Sequence, residues 1–158
     1  MDRNEVVNAQ LLSALAPFVS NKAISDLVTV TLGTDMESLQ DGASWPIASF
    51  YLKAETEVFA LYAVSPGKFM LGEINTNGRM LNVTIPLDRI RRIVTDLTVG
   101  QMILLIEVDA DQSTYRETND NGIKSYRHLP AGYEIVVGEA DVPALLNFAN
   151  GLRNVIGL

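Results

Sequence analysis

Cysteine is absent from all 158 residues. Its absence excludes disulfides, thiolate nucleophiles, cysteine-ligated zinc and iron–sulfur clusters. It also fits a cytoplasmic protein, since thiol-free chains need no oxidising compartment. Histidine is almost as scarce: with one copy, His128, any zinc site would need carboxylates throughout. Positive charge is short too, with 12 Lys and Arg against 19 Asp and Glu and a net charge of −7. Averaged over the surface, that field repels nucleic acid and anionic lipid headgroups. No nucleic-acid partner is therefore expected, and phosphoinositide or membrane binding is disfavoured.

Long apolar runs are missing as well. The longest lies near Met102 to Ile106, far below the roughly 20 residues needed to span a bilayer. No basic patch followed by an apolar core opens the chain, so no signal peptide is expected. Neither Gly-x-Gly-x-x-Gly nor the Walker pattern occurs, which removes the common phosphate-binding loops. No cofactor, metal ligand set or catalytic constellation emerges, and the expectation is a protein that is not an enzyme.

What is present is best organised from its end. Asp141 and Pro143 make a helix start, a side-chain acceptor followed by a residue with no N–H to leave unsatisfied. Val142, Leu145, Leu146, Ala149, Leu152 and Ile156 then recur at helical spacing. Arg153 sits where positive charge suits the helix dipole. Such a stripe needs a partner, and the many short β-rich runs before it supply one: a face, or the open end, of a curved sheet.

From Asn4 to Ala16 the pattern is also helical, with Val7, Leu11 and Leu15 on one face and Pro17 ending or kinking it. Residues 27–32, Leu-Val-Thr-Val-Thr-Leu, are ambiguous. Their β-branched content favours a strand, whereas Ile24, Leu27 and Val28 fit a helix. Trp45 is expected to anchor a loop running to Pro46. Beyond it the chain turns to strands: residues 47–53, 57–64, 69–74, 80–85, 90–97, 101–108 and 133–137. Ser65-Pro66-Gly67-Lys68 and Asn75-Thr76-Asn77-Gly78 are turn sequences between them. Leu81, Val83 and Ile85 should face inward against Asn82 and Thr84, and Pro86 should break or bulge that strand. A polar hairpin is expected around residues 109–128.

This order resembles the pleckstrin-homology-like barrel, particularly its bacterial variants. Three stretches carry the resemblance: Tyr51 to Leu61, Ile85 to Ile93, and Tyr133 to Val137 running into the terminal helix. It implies an α+β, mostly antiparallel fold, with a curved sheet or barrel of about six or seven strands over residues 51–158, capped by an amphipathic helix. Residues 1–50 would be a helical extension.

The candidate sites are modest. Lipid-binding members of that family would want several cations around the first hairpin, yet Lys68 is the one basic residue there. Arg89, Arg91 and Arg92 form the single basic cluster; alternation puts Arg92 opposite the other two unless a bulge intervenes, and Asp88 and Asp96 are near enough to neutralise part of it. Asp109, Asp111, Ser113, Tyr115, Glu117 and Asp120 copy the oxygen spacing of a helix-flanked calcium loop. However, Thr114 replaces the turn glycine and Asp120 the final glutamate, so a plain acidic hairpin is the better reading. His128 lacks a nucleophile elbow to serve. Asp35 with Glu37, and Glu55 with Glu57, are carboxylate pairs that matter only in a cleft. These observations lead to a protein-interaction or assembly module binding a protein partner or itself, against two alternatives: a lipid or membrane-surface adaptor, and a small hydrolase using carboxylates.

Overall fold

A computed structural model of the chain describes residues 3–35, 37–38, 46–55, 58–75, 79–109, 115–120, 123–128 and 132–157, the backbone alone at residues 3–4, 75, 115–120 and 123–128. The fold is α+β. It divides into two compact units, residues 1–87 with 143–158, and residues 88–142.

In the first unit, helix α1 (Arg3–Leu15) runs into a 3-10 turn (Ala16–Phe18) that contains Pro17. Residues 22–32, which include the ambiguous stretch, are helix α2 (Lys22–Leu32). Local end signals outweigh the β-branched composition. The Asn21 side-chain Oδ1 accepts from the Ile24 N–H at 3.2 Å, and Gly33 closes the helix at φ 73°, a left-handed torsion that glycine adopts at no steric cost. Thr29 turns its hydroxyl back onto the Ser25 carbonyl at 3.0 Å, so a residue that favours strands is satisfied inside the helix.

Strands β1 (Ser49–Ala54), β2 (Val58–Val64), β3 (Lys68–Asn75) and β4 (Met80–Pro86) then form an antiparallel sheet in chain order. On one face Phe59, Leu61, Ala63 and Met70 join Leu11, Leu15, Leu27, Val28 and Leu32 in a single buried cluster, which is how α1 and α2 are held. Gly72 lets α2 approach: a Cβ there would lie 2.0 Å from Thr31 Oγ1. That hydroxyl also accepts from Asn82 Nδ2 at 2.9 Å. On β4, Val83 and Ile85 are buried while Asn82 and Thr84 are exposed, the alternation expected from the sequence.

The terminal helix covers the other face of this sheet. It is α3 (Val142–Ile156), entered through a 3-10 turn (Glu139–Asp141) that ends at Asp141. Phe148, fully buried, stands with its ring 6.5 Å from those of Tyr62 and Phe69. Of the two partners expected for this helix, a sheet face is the one it uses.

In the second unit, β5 (Ile90–Thr98), β6 (Gln101–Val108) and β9 (Gly132–Gly138) make a three-stranded antiparallel sheet, and β7 (Tyr115–Asp120) pairs with β8 (Ile123–His128) in a separate hairpin. Met102, Leu104 and Ile106 of β6 are buried along one face with Ile135 and Val137 of β9; the half-buried Val94, Ile103 and Leu105 and the exposed Val136 sit on the other. Thr98 pairs with Gln101 around Val99-Gly100, where Gly100 takes φ 80°. Among the described residues, β4 and β5 belong to different sheets. The expected Trp45 anchor and the Asn77-Gly78 turn lie outside the described residues.

Candidate interaction site

The charged candidates are absorbed by structure. A bulge between Ile90 and Arg92 breaks the simple alternation of β5. Arg92 thereby faces Glu107 and binds it through two hydrogen bonds, of 2.9 Å from Nε and 2.6 Å from Nη2. This pairing raises the guanidinium pKa, and the same bonds hold the Glu107 carboxyl below its ordinary value. Arg91 reaches Asp109 at 3.0 Å. The acids that answer Arg92 and Arg91 are Glu107 and Asp109, from the end of β6 and the residue after it. Arg89 ends a 3-10 turn, and its carbonyl accepts from the Asp109 N–H at 2.9 Å.

Asp35 serves its own loop. Its carboxylate accepts from the Ser38 N–H at 2.7 Å, which lowers its pKa. Glu55 is exposed and lies 3.8 Å from Lys53, while Glu57 lies outside the described residues. Of the calcium-like run, residues 110–114 are outside the described residues; Tyr115, Glu117 and Asp120 fall on strand β7, and Asp109 is paired with Arg91. His128 is in β8, in register with Tyr115. Among the described residues no three His, Asp or Glu side chains gather closely enough to hold a metal ion. No described helix is long and apolar enough to cross a membrane.

Lys68 lines a cavity of about 220 Å³ at the β2–β3 turn, floored by Leu32, Ile47 and Met70. It is the one cation among those lining residues, which does not make the convergent set a phosphate requires.

The larger concavity was not legible in the sequence. It measures about 590 Å³ and runs along the outer edge of β1, with α1 on one side and α3 on the other. The α1 wall offers Val6, Val7 and Gln10; the α3 wall offers Ala144, Asn147 and Gly151. Every described residue lining it is uncharged, in a chain whose net charge is −7. Two contacts fix its walls. The buried Asn8 of α1 accepts from the Ile47 N–H at 3.3 Å, tying the helix to the approach of β1. Gly151 brings α3 onto β1, for a Cβ there would lie 2.5 Å from the Ser49 Cβ.

The edge of β1 forms the floor. Its register with β2 is unbroken from Ser49 to Ala54, and Glu55 donates to the Val58 carbonyl at 2.9 Å. Counting back in twos, Lys53 and Tyr51 share that inward direction. Phe50, Leu52 and Ala54 therefore turn their N–H and C=O groups to the open side. Among the described residues no strand pairs with that side. A backbone edge lined by neutral walls is chemically a receptor for another backbone.

Known proteins add no label. No family model matches this chain, and no curated protein or solved structure does.

Tyr62 and Tyr133 are perturbed as well. Burial pushes the Tyr62 hydroxyl far above its ordinary value, with Glu73 and Tyr51 adding to the effect; burial raises Tyr133 as well. Tyr62 packs against Tyr51 and Phe148, ring to ring, and its role is in the core.

Proposed function

We propose that this protein is a non-enzymatic interaction module that binds an extended segment of another protein by adding it as a strand to β1. The observation that carries this reading is the groove along β1, uncharged among its described residues, with Phe50 and Leu52 directing backbone donors and acceptors into it and Ala54 continuing the same open edge. Strand addition draws affinity from main-chain hydrogen bonds and selectivity from the side-chain pockets beside them. Two of the other edge strands, β5 and β4, make poorer receptors. Strand β5 carries a bulge and the charged Arg91, Arg92 and Asp96, and β4 ends in proline. Those are the devices by which sheet edges discourage pairing. Resemblance to pleckstrin-homology-like domains supports a binding role by analogy of element order alone.

The test places photo-crosslinking amino acids at Ala14 and Ala144, one on each wall, in the full chain exposed to extract from its own cells. The expected result is a discrete adduct from both positions that disappears in Ala54→Pro, which removes an outward N–H, and in Val6→Glu, which puts charge into the groove. Circular dichroism checks that both variants remain folded. Adducts indifferent to both substitutions would overturn the reading. Adducts of twice the chain mass would replace the foreign partner with a second copy of this protein.

A further inference from the structure

The two sides of the β1 edge are chemically unequal. Phe50 and Leu52 point to the face where α1 packs, and on that side the groove is walled by Val6 and Val7. Val6 remains 40% exposed, so apolar surface there is still open to be covered. Ser49 and Tyr51 point to the α3 face. They are already buried, at 6% and 4% exposure, beneath a helix wall built from Ala144, Asn147 and Gly151. Depth is lacking on this side, because the Gly151 backbone rests against the Ser49 side chain.

An added strand sends successive side chains to opposite faces of the sheet. Resting on the strand-addition reading, we infer that the bound segment alternates bulky apolar side chains, turned toward α1, with small polar ones, turned toward α3. The bulky set covers Val6 and Val7 and extends the row formed by Phe50 and Leu52. The small set fits over Ala144 and Gly151, within reach of the Asn147 amide. Specificity then comes from both sides at once, by attraction on one and exclusion on the other.

Three fluorescein-labelled eight-residue peptides test this with the intact protein: alternating Val and Ser, alternating Val and Gln, and alternating Ser and Gln. Fluorescence anisotropy measures affinity, and hydrogen exchange follows the amides of Phe50 and Leu52. The Val–Ser peptide should bind and slow exchange at both amides. The Val–Gln peptide, bulky on the α3 side, should bind at least tenfold more weakly, and so should Ser–Gln, which has nothing for the α1 side. If either comes within tenfold of Val–Ser, the asymmetry is refuted while strand addition stands. Should none of the three bind or protect those amides, strand addition itself fails.

Discussion

The four-stranded sheet and the three-stranded sheet are built from similar residues and are buried differently. Strand β2 is buried at every position from Phe59 to Val64, because α1 and α2 cover one face and α3 the other. Strand β9 alternates strictly, Tyr133, Ile135 and Val137 buried against Glu134 and Val136 exposed. Pattern thus reports coverage: a strand with two covered faces reads as a continuous apolar run, and one with a single covered face reads with a period of two. The difference also determines which edge is receptive. Covering both faces of the first sheet creates walls on either side of β1, whereas β5 is guarded by its bulge and charges.

Substitutions that uncover one sheet and spare the other give this contrast its largest test. Phe148→Ala removes the fully buried ring that joins α3 to Tyr62 and Phe69. It should cost about 3–5 kcal/mol in urea unfolding followed by circular dichroism. Val136→Ala, on the open face of the other sheet, should stay within about 1 kcal/mol in the same assay. Next comes Gly72→Ala. With Thr31 Oγ1 2.0 Å from the new methyl, α2 must shift or Thr31 must give up Asn82. Overpacking of this kind costs about 1–3 kcal/mol, and pairing it with Thr31→Ala should recover part of the loss.

Alkaline pH gives a smaller and graded effect. Since burial raises the Tyr62 pKa in the folded chain, the folded state holds that proton more tightly than the unfolded state, whose tyrosine titrates near ~10. Stability is therefore intact below that value and should fall as pH climbs from it toward the folded pKa. Tyr62→Phe should flatten the fall, measured as the urea midpoint against pH. The smallest effect belongs to Arg92→Met. The Glu107 carboxyl, held low by Arg92, should return toward its ordinary pKa by NMR titration. A depressed carboxylate stabilises above its unfolded pKa and loses that contribution as pH falls through its folded value. The pair lies at the surface, with Arg92 exposed and Glu107 partly so, and the melting temperature at neutral pH should hardly move.

Much of the fold was legible for a physical reason. Periodicity survives in any element with one covered face, so α3, β4, β6 and β9 could be read directly from their spacing. Helix α2 could not be, because Val28, Thr29, Val30 and Thr31 carry a strand composition and the deciding information lay in Asn21 and Gly33. The ion partners of Arg91 and Arg92 were hidden by the bulge, which local alternation cannot foresee. The groove was least visible of all. Its walls come from α1, β1 and α3, far apart in sequence, and its shape depends on small residues that carry no chemical signature. One clue was available: Gly151 inside a helix costs about 1 kcal/mol relative to alanine, and a cost of that kind usually marks a close backbone approach.

Residues 88–142 interrupt the first unit, whose closing piece is residues 143–158. A ribosome makes that piece after everything else described here. Until it emerges, Tyr62 and Phe69 have no Phe148 to rest on, and the nascent sheet presents a greasy flank to the cell at synthesis rates of about 5–20 residues per second. Chains truncated before Pro143 should accordingly be clients for chaperones and prone to clumping.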